Sequence, residues 1–321
     1  MIHVYNFQKE GVKPGSLAGL SDTSKCWAHC INPTEKELIE ISEKANIPLE
    51  DLKEVLDEEE RPKVSDLDNY SLIVVRAPWV ENEEVVTTPL SLFISKNKNN
   101  VITIALKELS SINKIIQLIE TKKIDMIQHT MSFFTYRLLD EVFNAYFSIL
   151  STLEEKIDKL EDTIIEKPDS VKVHSIFTLK KTLIFFHKAL TATRDVIASI
   201  EKEYVVNIDK KNIKRFRTLY NDVVQLIDMV ATYRDVLTST LEIYLSAVSN
   251  NLNRAIKTLT VGASFVLFPT LIASIYGMNF DTSSIFNMPE LNWKYGYFFS
   301  LGLMAASIII TYVYFKKKEW I

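Results

Sequence analysis

The sequence predicts an α+β membrane protein, in which a cytosolic α/β domain is followed by long helices that continue into a two-helix transmembrane hairpin. Residues 258–280 and 295–315 contain no charged side chain, and each run has the ~20 residues that a helix needs to cross a bilayer. No glycine lies between positions 20 and 261, and no proline between 169 and 268. The lack of both breakers favours long continuous helices.

Residues 1–130 form the predicted α/β domain. In "PTEKELIEISEKA", Thr34 followed by Glu37 has the spacing of a capping box and marks the start of a helix. The segments "SLIVVRAPWV", "TTPLSLFIS" and "NVITIAL" are short, rich in β-branched residues and bounded by polar clusters. These features are typical of strands.

The segment "CWAHC" contains both cysteines, Cys26 and Cys30, with His29 between them. A zinc site would need a fourth ligand and rarely uses this spacing, so we predict a reduced pair in or near a strand. The five histidines form no catalytic motif, and nothing resembles a glycine-rich phosphate-binding loop. We therefore expect neither an enzyme nor an organic cofactor.

Residues 131–257 are predicted to form a cytosolic stalk of long helices. One helix is expected to end near Pro168, a second to cover 171–204, and a third to run from Asn212 through the first span to Tyr276. An apolar stripe with spacings of three and four follows the third helix from Leu219 to Leu252. This spacing indicates a helix that packs along its length, so we expect partner helices.

A second stripe of the third helix is polar from Asn221 to Asn253, and its spacing also alternates between four and three. It has two interpretations, a solvated face or the wall of an aqueous axis shared by several copies. Its continuation into the span favours the second, because apolar and small residues there could form a constriction that closes by dewetting. The continuing positions are Ile256, Leu259, Ala263, Leu267, Thr270, Ser274 and Gly277.

The C-terminal segments are predicted as a first, pore-lining span at 258–277, an external loop at 278–294, a second span at 295–315 and a basic tail at 316–321. Arg254, Lys257 and the lysines 316–318 flank the spans, and cations concentrate on the cytoplasmic side. We therefore predict a multi-pass protein of the cell (inner) membrane with both termini in the cytoplasm and membrane lipid around it. The formal net charge of −4 argues against a nucleic-acid partner.

The segment "YGMNF" after the first span, together with "MPELNWKYGY" and the terminal "YFKKKEW", resembles the CorA family of divalent-cation channels. The resemblance extends into "YRDVLTSTLEIYLSAVSNNLNRAIKTLT" of the long helix and covers most of the chain. It implies a homopentameric funnel whose pore is lined by the first span. It places asparagine rings at Asn279 and Asn253, a hydrophobic constriction at Ile256 and Leu259, and a pore threonine at Thr270. Lys316, Lys317 and Lys318 resemble the family's positive collar.

The implied function is passive uptake of hydrated Mg²⁺, with Co²⁺ or Ni²⁺ as secondary ions, driven by the membrane potential. Magnesium releases its water reluctantly, so amides at Gly277–Met278–Asn279 suit an ion that keeps its hydration shell. Carboxylates there would bind more strongly and slow release. A divalent ion that moves through an inside-negative 100 mV gains roughly 4.6 kcal/mol, so no other energy source is required.

Regulation is the point at which the sequence departs from the family pattern. The resemblance implies that cytosolic Mg²⁺ closes the channel through an aspartate early in the stalk helix, but the matching residue here is Thr218. The acids that could replace it are Asp222, Asp228 and Glu242, and the alternative interpretation of each is an ordinary surface carboxylate.

Two alternatives stay open at this stage. The first is a zinc or other transition-metal transporter on the same fold, against which Met278 is an argument, because related zinc transporters usually have another residue there. The second is a membrane-tethered helical scaffold or sensor that transports nothing.

Overall fold

The computed structural model describes residues 1–8, 11–21, 25–81, 84–97, 99–121, 130–166, 173–202, 208–279 and 286–321. The chain divides into two compact units. The first contains residues up to 163 and 170–241, and the second contains 164–169 and residues from Glu242 to Ile321. Each unit is described by itself.

A seven-stranded sheet forms the centre of the first unit. Its strands, in chain order, are β1 (Ile2–Gln8), β2 (Gly11–Pro14), β3 (Cys26–Ile31), β4 (Lys63–Asp66), β5 (Tyr70–Glu81), β6 (Glu84–Ser95) and β7 (Asn100–Ala105). The order across the sheet is β2-β1-β3-β7-β6-β5-β4. Only the central β3–β7 pair is parallel, and the other pairs are antiparallel.

The two short helices α1 (Glu35–Ala45) and α2 (Leu49–Glu54) contribute to one hydrophobic core with one face of the sheet. The predicted capping box at the start of α1 is confirmed, because Thr34 and Glu37 bond each other's backbone N–H. Cys26 and Cys30 are free and belong to this core. Burial raises the pKa of Cys26 to about 11 and that of Cys30 to about 12.

His29 alternates with the cysteines along β3, so its side chain is on the opposite face of the sheet. Its Nδ1 lies 2.8 Å from the Thr103 hydroxyl. On this face Trp27 also packs edge-on against Phe134, with ring centroids 5.0 Å apart. The cysteine pair Cys26 and Cys30 is therefore part of a buried strand, as predicted. The two cysteines and His29 do not lie on one face of the sheet.

The next helices in the described part of the chain are α3 (Ser110–Glu120), α4 (Met131–Glu166), α5 (Val173–Glu201) and α6 (Lys210–Tyr276). α4 and α6 run in the same direction, because Asn212 bonds Ser132 near their starts and Thr240 bonds Glu161 further along. The rings of Tyr146 in α4 and Phe186 in α5 are 4.8 Å apart. These contacts make a packed helix layer beside the sheet.

The second unit contains the C-terminal part of α6 and the helix α7 (Gly296–Lys317). Both α6 and α7 are long and apolar enough to cross a membrane. α6 continues through Pro269, although a proline removes one backbone donor from a helix. Membrane helices tolerate such residues where neighbouring groups satisfy the freed carbonyl.

The predicted strands correspond to β5, β6 and β7, and the three predicted long helices correspond to α4, α5 and α6. The ends of the first two predicted helices, at 167–172 and 203–204, lie outside the described residues. The elements β1, β2, β4, α2 and α3 were not predicted from the sequence.

Candidate ion pathway along the long helix

The polar stripe of α6 is exposed along its whole length on the single chain. The exposed positions, in chain order, are Asn221, Gln225, Asp228, Thr232, Asp235, Ser239, Glu242, Ser246, Ser249 and Asn253. The continuation into the apolar segment is exposed too, at Ile256, Leu259, Ala263, Leu267, Thr270, Ser274 and Gly277. A pore shared by several copies requires such a face.

The opposite side of α6 faces α7 within the apolar segment. The partly covered residues there follow spacings of three to four at Val261, Phe265, Pro269, Ile272 and Tyr276, and Ser264 is partly covered too. The ring of Phe265 lies 6.5 Å from that of Phe315 in α7. Because these positions are on the other side of the helix from Thr270, α7 leaves the predicted pore face uncovered.

The apolar stripe of α6 changes its environment along the helix. Leu219, Val223, Leu226, Val230 and Leu237 are completely buried in the first unit. Further along the stripe, Val248 is 38% exposed and Leu252 is 60% exposed. The predicted packing is therefore confirmed for the first half, and the second half lacks a partner within the described residues of one chain.

The Gly-Met-Asn triplet begins where α6 ends. The N–H of Gly277 donates to the carbonyl of Ala273 at 2.9 Å, and that of Met278 donates to Ile275 at 3.2 Å. Neither Gly277 nor Asn279 has the left-handed backbone of an ordinary helix stop. Asn279 is exposed. Asp281, two positions after Asn279, lies outside the described residues.

A side-chain contact joins the two ends of the loop after the triplet. The Tyr276 hydroxyl donates to Glu290 at 2.9 Å. Glu290 belongs to a short 3-10 helix, Pro289–Asn292, and its carbonyl lies only 2.2 Å from the point that a Cβ on Gly296 would occupy. Gly296 therefore permits a close approach that any other residue would prevent.

The basic residues near the ends of the spans are exposed and pack on aromatic rings. Lys257 Nζ is 5.7 Å from the centroid of Trp320, and Lys316 Nζ is 5.7 Å from that of Tyr312. Lys317 ends α7 and Lys318 is its C-terminal cap. Aromatic and basic residues of this kind are typical of the membrane–water boundary.

The predicted regulatory acids Asp222, Asp228 and Glu242 all lie on α6. Their separations of six and fourteen residues correspond to about 9 Å and 21 Å along a helix, so one chain does not bring them together. Among the described residues, no group of three or more His, Cys, Asp or Glu side chains could hold a metal ion. Thr218, the family's aspartate position, bonds the carbonyl of Lys214.

Asp140 of α4 was not predicted from the sequence, and the structure brings it near Asp222. Burial raises the pKa of Asp140, and the negative charges of Glu141 and Asp222 raise it further, against the attraction of Arg137. Burial also raises the pKa of Asp222. Asp140 already pairs with Arg137, and the charge of Asp222 acts on it from the neighbouring helix α6.

Fold and site together define a two-span membrane protein whose long helix carries a continuous exposed face. Residues 22–317 match the family described as "CorA-like Mg2+ transporter protein". The chain therefore belongs to the CorA family, as the sequence predicted.

Two curated relatives cover most of the chain. It is 35% identical to the cobalt/magnesium transport protein CorA of Methanocaldococcus jannaschii over 326 residues, which covers 100% of both proteins. It is 32% identical to the protein of the same name from Thermotoga maritima over 272 residues, 84% of this chain and 76% of that protein.

Solved structures show the same fold. The complete CorA magnesium transporter of Methanocaldococcus jannaschii matches 100% of this chain with a TM-score of 0.87 and 31% identity, over 99% of its own length. The cytoplasmic domain of ZntB from Vibrio parahaemolyticus matches 77% of the chain, and 98% of its own length, with a TM-score of 0.63. At 13% identity, that similarity concerns the fold alone.

Proposed function

We propose that the protein is a channel for divalent cations, chiefly Mg²⁺ and secondarily Co²⁺ or Ni²⁺, through which ions pass passively into the cytoplasm. The observation that carries the proposal is the face of α6 that stays exposed from Asn221 to Gly277. The two relatives that cover 100% and 84% of the chain are named as cobalt/magnesium transport proteins. The pore is the space that several copies of this face enclose.

The channel is a homopentamer in this proposal, with five copies of α6 around one axis. The half-exposed stripe that includes Val248 and Leu252 supports an oligomer, because a large contiguous apolar surface outside the membrane marks an interaction site. Each copy supplies the partner surface that the single chain lacks. The number five rests on the family resemblance.

Selectivity resides in the Gly277–Met278–Asn279 triplet at the outer mouth. Asn279 is exposed where α6 ends, so copies of its amide oxygen can accept hydrogen bonds from the waters around Mg²⁺. Because that ion gives up its water slowly, recognition of the hydrated form allows fast passage. Thr270 within the pore and Asn253 at its cytosolic end offer further polar rings.

The constriction between these polar rings consists of Ile256, Leu259 and Leu267. All three side chains are more than half exposed on the single chain and lie on the pore face. A narrow ring of such residues holds no stable water column, so it closes the pore without a plug. Conduction then requires the helices to move apart.

The ion moves from the outside to the cytoplasm in this orientation. Both termini are cytoplasmic, since Arg254, Lys257 and the collar Lys316, Lys317 and Lys318 flank the cytosolic ends of the spans. A divalent ion gains roughly 4.6 kcal/mol in an inside-negative potential of 100 mV. The cell (inner) membrane supplies that potential.

Cytosolic Mg²⁺ closes the channel in this proposal. Asp222 is the best placed of the predicted sensor acids, because it lies near Asp140 of a second helix and both have raised pKa values. A bound cation would offset the repulsion between the two carboxylates and hold α4 against α6. Asp228 and Glu242 are exposed on the polar stripe and attract cations to it.

The test is Mg²⁺ uptake into proteoliposomes under an imposed voltage of either sign. We expect uptake by the wild type only with the interior negative, and a decrease of at least about tenfold for Asn279→Ala, which corresponds to about 1.4 kcal/mol. Thr270→Ala should also change uptake, whereas Thr258→Ala should not. Both threonines bond a carbonyl one turn earlier, but only Thr270 is on the pore face.

Two results would contradict the proposal. Uptake that is absent in the wild type would favour a scaffold or sensor. Uptake of Zn²⁺ that is unaffected by excess Mg²⁺ or by cobalt hexaammine, which keeps its ligands, would favour a transition-metal transporter.

A further inference from the structure

A cavity of about 550 Å³ lies in the first unit, remote in sequence from the predicted pore residues. Its walls come from the segment between α2 and β4, from the paired strands β5 and β6, and from α5. This volume is within the range of small-molecule sites, which run from about 300 to 1,000 Å³.

The inner wall of the cavity contains the guanidinium group of Arg76, which has no carboxylate partner among the residues that the structure describes. Arg76 donates to the hydroxyl and the carbonyl of Thr87 at 2.9 and 2.5 Å. It also donates to the carbonyls of Glu58 and Glu60 at 3.1 and 3.0 Å. All four acceptors are neutral, so they fix the side chain without cancelling its charge, and one of its five N–H groups stays available.

Two further cations line the same cavity. Arg61 and Lys188 come from different elements, the segment before β4 and helix α5, and both are exposed. Neither has an ion pair or hydrogen bond within the described parts of the chain. An exposed cation near a second and a third one raises the local concentration of anions.

The acids of the cavity do not neutralise these three cations. Glu60 is paired with Lys63 at 3.0 Å, which leaves Glu59 as the other carboxylate. The lining is therefore positive overall.

An apolar surface lies beside the charged groups. Phe185 and Ala189 of α5, together with Val86 and Pro62, complete the wall. Phe185 is 38% exposed and Ala189 is buried. A ring that is open to solvent next to cations can stack on a flat organic group while the cations hold a charged one.

We propose that this cavity binds a small phosphorylated organic anion, whose phosphates lie between Arg61, Arg76 and Lys188 and whose flat organic part packs on Phe185. Phosphate is favoured over a single carboxylate because it presents several acceptor oxygens and up to two charges per group to three separate cations. A nucleoside phosphate is the simplest molecule that combines both parts. The site goes beyond ion conduction, and its occupancy can be measured without transport.

The experiment is calorimetric titration of the full chain in detergent with ATP, adenosine or inorganic phosphate. EDTA is present throughout, so that removal of Mg²⁺ by ATP contributes nothing. We expect ATP to bind more tightly than either component, and the affinity to fall as salt is raised.

Variants assign the binding to this cavity. Arg61→Gln with Lys188→Gln should raise the ATP dissociation constant at least about tenfold. Phe185→Ala should weaken ATP binding without affecting inorganic phosphate. The control is Lys36→Gln, which removes an exposed lysine of α1 outside the cavity. Arg76 is left intact because its hydrogen bonds support the local fold.

Three results would overturn the proposal. The first is no ATP binding up to about 5 mM, which corresponds to less than roughly 3 kcal/mol of binding free energy. The second is adenosine or inorganic phosphate that binds as tightly as ATP. The third is an unchanged ATP affinity in the double variant. A circular dichroism spectrum like that of the wild type establishes that the double variant is folded, so its binding result counts either way.

Discussion

The ammonium group of Lys257 in α6 lies 5.7 Å from the ring centroid of Trp320, the penultimate residue of the chain. A turn places the ring there, because Glu319 has a left-handed φ of 56° and the Trp320 N–H donates to the carbonyl of Phe315 at 3.0 Å. Trp320 also stacks on Phe315, with ring centroids 5.6 Å apart. Trp320 therefore contacts α6 at Lys257, the residue that follows Ile256 of the predicted constriction.

This contact predicts a measurable coupling between the two residues. Trp320→Ala and Lys257→Gln should each lower the melting temperature of the protein in detergent, and together by less than the sum. The expected coupling is about 0.5–2 kcal/mol, the range of cation–π pairs. Lys257→Arg keeps the interaction and serves as the control. Additive single effects would show that the contact contributes no stability.

Gly296 should not tolerate a side chain. A Cβ there would lie 2.2 Å from the Glu290 carbonyl, so Gly296→Ala must displace the backbone of the loop, at a cost of about 1–3 kcal/mol. We expect weaker Mg²⁺ uptake and a lower melting temperature. Gly302→Ala is the matched control in the same helix, because nothing lies within 4 Å of its Cβ position. Equal behaviour of the two variants would contradict this prediction.

The apolar stripe of α6 predicts two different kinds of defect. Leu237 is completely buried in one chain, so Leu237→Ala should destabilise the first unit by about 2–5 kcal/mol. Leu252 is 60% exposed, and Leu252→Ala should leave the fold intact but weaken the oligomer. Thermal unfolding and light scattering after size exclusion separate the two effects. An unchanged oligomer for Leu252→Ala would argue against that part of the interface.

The nearby acids Asp140 and Asp222 predict altered regulation. Asp222→Asn should remove one of the two carboxylates and so weaken the binding of internal Mg²⁺. The internal Mg²⁺ concentration that halves the flux should rise, by about tenfold for each 1.4 kcal/mol of lost binding free energy. Asp140→Asn should act in the same direction. Asp162→Asn, an exposed acid of α4, is the control. A similar shift in the control would indicate a general charge effect.

His29 predicts a loss of stability on acidification. Burial first, and the nearby His3 second, lower its pKa from 6.5 to about 4, so the unfolded chain binds this proton more readily than the folded one. The stabilising contribution is complete above pH 6.5 and disappears as the pH falls to 4. It amounts to roughly 3 kcal/mol.

The measurement is denaturant unfolding of the protein in detergent between pH 4 and 7. His29→Gln should flatten this part of the pH profile, whereas His174→Gln, at an exposed position of α5, should not. An unchanged slope in His29→Gln would assign the acid sensitivity to other groups.

The sequence predicted best those features that depend on local pattern. The capping box of Thr34 and Glu37 needs only a spacing of three residues, and the exposed face through Thr270 follows from the repeat of one helix. The reduced cysteine pair of Cys26 and Cys30 was predicted in or near a strand because zinc sites rarely use the spacing in "CWAHC". Such features are set by residues that are near one another in the chain.

Long-range contacts were not predictable in the same way. The approach of Asp140 to Asp222 depends on how α4 and α6 align, and no pattern in either helix reports it. β4 is four residues long and was missed, since so short a strand has too few positions to show alternation. The cavity around Arg76 likewise needs three separate segments to be assembled.

The leucines of the α6 stripe are buried before position 241 and exposed after it. This change indicates where a soluble fragment of the protein should end. A recombinant fragment that ends close to Leu241 retains the residues that bury its apolar stripe. It should therefore be soluble and folded in buffer without detergent. A fragment that extends to Leu252 would also expose the apolar side chains of α6 that have no partner within one chain. Such a fragment should self-associate or precipitate, although it contains no residue of the membrane span.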